Sequence, residues 1–319
     1  MKTLMIYGAT GYTGRMAAEH AKNLGLDLVI AGRHEAPLAS LAAALGVPYR
    51  VFAADASQLH GIDVLLNFAG PFAHTAEALM HACIANGTDY LDISAEINVY
   101  RLAEQRGNGA KVMLLPGVGW DVVPTDCLAM HVASRVSQPR SLKIALQVPG
   151  AMSRGSAMSV GEIIGAGVMA RIDGHLVATP DAQPQHLDFG DGPALCAPLS
   201  FGDLVTAWHS SAIPNIAMFV HITGEAFPEG DLSLLPDGPS QAQRDQHRAR
   251  AVAEVTGVDG TVARSVIETV NGYSYTPLAA VEAARRVLDG ERRPGFETPA
   301  KLFGVGFAQT IAGTQITDY

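Results

Sequence analysis

The residues with the clearest chemical meaning are Gly8-Ala9-Thr10-Gly11-Tyr12-Thr13-Gly14, a G-x-x-G-x-x-G run between an apolar strand-like stretch and a helical one. Glycine at the first position permits a tight turn, and at the second it lets phosphate oxygens approach the backbone. At the third it lets the helix pack close to the strand. Amide groups of Tyr12 and Thr13 would then point along the helix axis at an anion, helped by the helix dipole. That chemistry is the cradling of a dinucleotide diphosphate. A glycine-rich turn without a ligand is the bland alternative, but its place after a first strand favours the dinucleotide.

The end of the second strand says which dinucleotide. An acidic residue there would accept hydrogen bonds from the ribose hydroxyls of NAD. This chain has Gly32-Arg33, and a guanidinium pairs with a 2′-phosphate, so the expected cofactor is NADP(H). Glu35, two positions on, would compete for that role if the strand end were shifted. Asp55 is either an adenine-side contact or a helix cap. Phe68-Ala69-Gly70-Pro71 ends the fourth strand, where cofactor and substrate meet in an open α/β sheet.

Hydride chemistry usually needs a proton donor beside the acceptor. No tyrosine has a lysine four positions on, so the commonest tyrosine–lysine pair of Rossmann reductases is absent. The remaining polar groups at strand ends are Tyr90, Asp92, Ser94 and Glu96, then Trp120 and Asp121. Asp92 and Asp121 are the catalytic candidates, if burial raises their pKa. The alternative is that both carboxylates cap helices or hold loops. Tyr90, Trp120 and Arg154 are candidates for substrate contact, Arg154 as a bidentate clamp on an anionic group or as half of a structural ion pair. His74 and His81 are seven residues apart on one helix, too far for one metal, and no H-E-x-x-H or C-x-x-C occurs. No metal site is expected.

These residues must be carried by alternating strands and helices. Strand-like runs at Thr3–Tyr7, Leu26–Ala31, Arg50–Ala53, Asp63–Asn67, Asp89–Ile93 and Lys111–Leu115 alternate with helical stretches such as Gly14–Leu24 and Ala36–Leu45. Such alternation predicts βαβ units, hence α/β, a Rossmann doubly wound parallel sheet. After Gly117 the rhythm breaks, and runs at 142–148, 217–223, 249–256 and 261–270 predict a second, mixed α+β domain, read as antiparallel. Val258-Asp259-Gly260 marks a hairpin. Residues 173–203 and 227–246, rich in Pro, Gly and Asp, read as a long loop and a surface excursion. A last helix is expected with Thr276 as N-cap and Pro277 at its first position. The expected division is 1–125 for the cofactor, 126–271 for substrate, and 272–319 returning to the first domain.

The chain has 319 residues, 48% hydrophobic and only 17% charged, with net charge −9. That balance does not suit nucleic acid or an anionic membrane as default partner. Three scattered cysteines argue against a disulfide framework and for a cytoplasmic, reducing compartment. The run after Met1-Lys2 is too short for a secretory signal, and no stretch approaches a membrane helix.

Gly8–Gly14 as G-A-T-G-Y-T-G, Ala31-Gly32-Arg33 and Asn67–Phe72 resemble the saccharopine dehydrogenase-like NADP-binding oxidoreductases. The resemblance continues through Thr88–Glu96, Gly117–Asp126, Ser153–Ser156, Gly272-Tyr273 and Ala280–Ala284, and is greatest to the trans-acting enoyl reductase subgroup. The family has Gly where this chain has Ala95 and Phe where it has Trp120. The resemblance implies a reductase acting on a small acyl, imine or enoyl compound, and a homodimer. An NADP-binding partner protein without turnover is the second hypothesis.

Overall fold

The computed structural model describes residues 2–53, 56–149, 152–223, 231 and 236–319. Asp55 and most of the 224–235 part of the expected surface excursion lie outside the described residues.

Six short strands build the first half: β1 (Thr3–Tyr7), β2 (Asp27–Gly32), β3 (Tyr49–Val51), β4 (Val64–Asn67), β5 (Asp89–Asp92) and β6 (Met113–Leu115). The helices between and after them are α1 (Tyr12–Asn23), α2 (Glu35–Leu45), α3 (Ala76–Asn86), α4 (Ile97–Gly107) and α5 (Val123–Ala133). The second half holds β7 (Pro139–Pro149), α6 (Arg154–Gly165), β8 (Met169–Ile172), β9 (His175–Ala178), β10 (Gln185–Asp188), β11 (Pro193–Pro198), α7 (Asp203–Ser211) and β12 (Asn215–Thr223). Then come α8 (Gln241–Asp245), β13 (Ala249–Gly257), β14 (Val262–Thr269), α9 (Gly272–Leu288), β15 (Gly295–Phe296), α10 (Pro299–Phe303) and β16 (Gln315–Asp318).

The first sheet has seven strands in the order β15-β6-β5-β4-β1-β2-β3, and each pair is parallel. Strands covered on both faces must be apolar throughout, and Leu4, Met5, Ile6 and Tyr7 are accordingly buried. On α1 the buried positions are Gly14, Ala17, Ala18 and Ala21, a helical stripe of small residues that packs against α9. The strand order reverses between β1 and β4. That topological switch opens a crevice at the carboxyl ends of both strands, where Gly8 and Phe68 stand.

The second sheet has nine strands in the order β10-β11-β12-β7-β13-β14-β16, with β8 on β12 and β9 on β8. It is not wholly antiparallel, as the sequence pattern suggested: β12 runs parallel to β7 over its whole length. A parallel pair needs a crossover, and residues 150–214 provide it. The expected hairpin across Val258-Asp259-Gly260 is present as the β13·β14 pair.

Two further expectations are corrected. Residues 173–203 hold β9, β10 and β11, short strands whose Pro, Gly and Asp content signals only their turns. The last long helix begins at Gly272, capped by the Asn271 side chain on the Tyr273 amide, so Thr276 is no cap and Pro277 lies inside α9. Beyond α9 the chain enters both sheets: β15 pairs with β6, and β16 pairs with β14.

Candidate active site

The glycine loop has the shape its chemistry demands. Gly8 has φ +81°, and a Cβ there would stand 2.7 Å from the Ala69 backbone nitrogen. A Cβ at Gly14 would lie 2.3 Å from the Gly8 carbonyl oxygen. Gly11 is the N-cap of α1 with no side-chain cap, which leaves the first amides of the helix free for an anion. The loop is tied to β2, since the Gly8 and Ala9 amides donate to the Ala31 carbonyl at 2.8 and 3.3 Å. Arg33 is exposed on the rim of the same crevice, and among the described residues its guanidinium has no partner. Arg33 and His34 line the cavity and Glu35 does not. A side-chain-free cradle closed by an unpaired cation suits a diphosphate with a 2′-phosphate beyond it.

The opposite wall is set by buried polar side chains. Asn67, at the end of β4, accepts from the Ala69 amide at 2.9 Å and donates to Thr75 Oγ1 and Tyr90 OH, each at 3.2 Å. Glu96 accepts from the Phe72 amide at 2.9 Å and the Ala73 amide at 2.6 Å. Burial raises the Glu96 pKa, and those two amides work against the rise. Together Asn67 and Glu96 hold the loop 68–73 against the glycine loop. The sequence reading quoted both residues without giving either this role.

The two catalytic candidates separate. Asp92 is completely buried and does not line the cavity. Its Oδ1 accepts from Ser94 N, Ser94 Oγ and Gly117 N at 2.9, 2.8 and 3.0 Å, and its Oδ2 from Tyr90 OH at 2.9 Å. Burial pushes its pKa up while these donors pull it down. The carboxylate thus ties the end of β5 to the loop after β6, and Tyr90 is part of the same network rather than of the cavity wall. Asp121 lines the cavity and stays partly exposed to it. Among the described residues its carboxylate has no hydrogen bond or ion pair, and burial alone raises its pKa to about 6.

One cavity of about 760 Å³ runs from the glycine loop to the second sheet. Gly8, Thr10, Gly11, Tyr12, Thr13, Gly32, Arg33, Phe68, Ala69, Gly70, Trp120, Asp121 and Arg154 all line it, whereas Ala9, Gly14 and Pro71 do not. The far end is apolar, with Leu146, Val148, Met158, Ile163, Val220 and Ile222. Trp120 is anchored by donation from its indole nitrogen to Thr269 Oγ1 at 2.9 Å, and its amide donates to Thr276 Oγ1 at 3.0 Å. Arg154 forms an ion pair with Asp237, so its charge is already met. The sequence reading missed Tyr273: its hydroxyl accepts from the Ser153 amide at 2.8 Å and donates to Ser156 Oγ at 2.9 Å, all on the cavity wall. Among the described residues no group of three or more His, Cys, Asp or Glu side chains could hold a metal ion. None of the described helices is long and apolar enough to cross a membrane.

The chain is similar to known proteins in sequence and in fold. Residues 4–113 match the family model described as saccharopine dehydrogenase NADP binding domain. A trans-acting enoyl reductase of Mycobacterium leprae (strain TN) is 30% identical over 156 residues, which cover 43% of this chain and 37% of that protein. One of Mycobacterium tuberculosis (strain ATCC 25618 / H37Rv) is 30% identical over 141 residues, covering 39% and 33%. The match thus spans little more than a third of these relatives' length. Apo saccharopine dehydrogenase (L-Glu forming) from Saccharomyces cerevisiae superposes with a TM-score of 0.62 at 15% identity, covering 100% of both chains. That likeness extends the common fold to the second sheet. Residues 4–113 are thus similar to the NADP-binding domain of saccharopine dehydrogenases, and the chain as a whole shares the two-sheet fold of the yeast enzyme.

Proposed function

We propose that the chain is an NADPH-dependent reductase of an apolar acyl, imine or enoyl compound, with Asp121 as the group that protonates the product. The observation that carries this reading is Asp121 itself: an unpartnered carboxyl with a pKa of about 6, on the wall of a cavity shared with the glycine loop. A carboxyl poised near neutrality is an effective general acid. The resemblance to trans-acting enoyl reductases and the apolar far end of the cavity favour an acyl or enoyl substrate over a charged amino acid.

In this reading the free amides of Tyr12 and Thr13 hold the diphosphate, Gly8 and Gly11 let it approach the backbone, and Arg33 pairs with the 2′-phosphate. Ala9 and Gly14 support the loop from behind. Phe68, Ala69 and Gly70 bound the nicotinamide end, with Pro71 closing the turn. A bound NADPH supplies reducing equivalents to a carbon lying against it. Trp120 shapes the adjacent wall and limits water there. Asp121 Oδ carries the proton that the reduced product takes up. Asp92 and Tyr90 fix the loops that position Asp121, and Arg154 pins the 237 segment over the cavity mouth.

The same reading divides the chain into 1–125, 126–271 and 272–319. The packing of α9 on α1 and the pairing of β15 with β6 support a return to the cofactor domain. A homodimer is carried over from the family resemblance, and a cytoplasmic location from the three buried free cysteines. The test is NADPH oxidation against a panel of apolar enoyl, acyl and imine compounds, with Asp121→Asn as control. Turnover lost in that variant while NADPH still binds supports the reading. NADPH binding without turnover of any panel member would favour the partner-protein hypothesis.

A further inference from the structure

Behind Asp121 lies a set of buried polar atoms that the mechanism above does not use. Both carboxylate oxygens of Asp203, Asp126 Oδ1 and Thr206 Oγ1 are inaccessible and meet no partner at close hydrogen-bond geometry among the described residues, although the Thr125 hydroxyl acts on Asp203 and the Ser210 and Thr298 hydroxyls on Asp126. Asp203 and Thr206 are on α7 and Asp126 is on α5, and these two helices pack together. Unpartnered buried polar groups are rare, and a group of them in one place is what internal water pairs with.

The chemistry around these atoms continues in both directions. Toward the cavity, the Thr125 hydroxyl lies beside Asp203 and donates to the Asp121 carbonyl at 3.2 Å and the Val122 carbonyl at 3.0 Å. The Asp121 carboxylate is close enough to Asp203 to raise its pKa, as is Asp126. Toward solvent, Asp126 Oδ2 accepts from the Ala300 amide at 2.8 Å. Ser210 and Thr298 stand beside it, with their hydroxyls 2.5 Å apart. Next to Ser210, His209 holds Glu104 at 2.7 Å, and its side chain is 26% exposed. Tyr100 is the other titratable group facing Asp203, and its hydroxyl donates to the Ser94 carbonyl. His209 is the basic side chain that acts on Asp126.

We infer that Asp203 and Asp126, with His209 at the surface, form a proton path from solvent to Asp121. The inference rests on the reading of Asp121 as the proton donor. Each reduction removes one proton from Asp121, and the path restores it. A solvent proton binds the His209 imidazole, and an O–H bond then forms at Asp126, Asp203 and Asp121 in turn as the preceding bond breaks. Water held by the unpartnered oxygens spans the gaps. No electron moves, and no other reactant is needed. Asp203 and Asp126 touch neither substrate nor cofactor; their role is delivery.

Two measurements test it. In turnover, Asp203→Asn should lower kcat roughly ten-fold or more and raise the solvent deuterium isotope effect, with KM and NADPH affinity unchanged. Unchanged kcat and isotope effect overturn the path. His209→Gln, at a partly exposed position, should show the same signature and recover with added imidazole; no loss in this variant also overturns it. The second measurement needs no turnover. Infrared spectra of the free protein at mildly acidic pH follow the protonated carboxyl bands after transfer to D2O. The path requires prompt exchange in the wild-type protein and slower exchange in His209→Gln, and equal rates refute it. Because this readout is independent of catalysis, it separates failure of the path from failure of the reductase reading.

Discussion

Tyr12, in the glycine loop, and Arg244, at the end of the 236–244 segment, are joined by a hydrogen bond of 2.6 Å from Nη1 to the phenolic oxygen. The Tyr12 hydroxyl donates in turn to the Pro239 carbonyl, and Gly238 lies flat on its ring, where a Cβ would come within 2.6 Å of Tyr12 Cε1. The residue proposed to present its amide to the diphosphate is therefore also the one that fastens the 236–244 segment to the glycine loop. Tyr12→Phe keeps the ring and removes both hydrogen bonds. We expect faster deuterium exchange of 236–244 and roughly five-fold weaker NADPH binding, from about 1 kcal/mol of lost bonding.

Gly8→Ala should be more severe. The new methyl meets the Ala69 amide, and alanine is strained at positive φ. Both effects fall on the strand-switch crevice. Loss of detectable NADPH binding is expected by calorimetry, with a stability loss of about 1–3 kcal/mol in denaturant titration.

Arg33→Ala discriminates the two nicotinamide dinucleotides. A lost charge-assisted bond to a 2′-phosphate costs roughly 1.5–3 kcal/mol, or about ten- to a hundred-fold in affinity. NADPH binding should fall toward that of NADH, while NADH binding stays unchanged. Parallel titrations of both nucleotides give the comparison.

In the role proposed for it, Asp121 would set the pH dependence of turnover. Its pKa of about 6 means the carboxyl is protonated below that value and loses its proton above it. A general acid works only when protonated, so kcat should fall as pH rises through about 6, and the fall should vanish in Asp121→Asn along with most of the activity. A pH–rate profile on both proteins decides it.

Stability should follow the same sign. Burial holds Asp126 near 6 in the folded chain, above the roughly 3.9 of an unfolded aspartate. The folded state therefore binds that proton more tightly. The contribution is fully present below the unfolded value and is lost as pH rises through about 6. Asp126→Asn should raise stability above about pH 6 by at most about 3 kcal/mol and flatten its slope between about pH 4 and pH 6. Denaturant midpoints at both pH values measure this.

The contrast between Gly8 and Arg154 shows what could be read without coordinates. Gly8, Gly11 and Gly14 were legible because the chemistry requires the absence of a side chain, and absence is visible in a sequence. The apolar strands β1 and β4 were legible because a doubly covered strand has no polar face to confuse the pattern. Arg154 was not, because its partner Asp237 lies 83 positions away and no local signal pairs them. Asp92 and Asp121 looked alike, as polar groups just past strand ends. Only the loop geometry sends one into a closed network and leaves the other facing open space. The start of α9 was misplaced because Thr276-Pro277 is a good helix opening, but Asn271-Gly272 is one too, and the seat of Gly272 against the Trp120 ring with the Trp120 amide on Thr276 Oγ1 goes with the earlier one.

The pairings of β15 and β16 have a consequence for synthesis of the chain on the ribosome. β6 lacks its outer neighbour, and β14 its own, until residues 295–318 have been made. The β6 edge is therefore bare from the synthesis of residue 115 to that of residue 295, and the β14 edge only from 269 to 315. Such edges invite pairing with other chains, so the first sheet carries this exposure for far longer than the second.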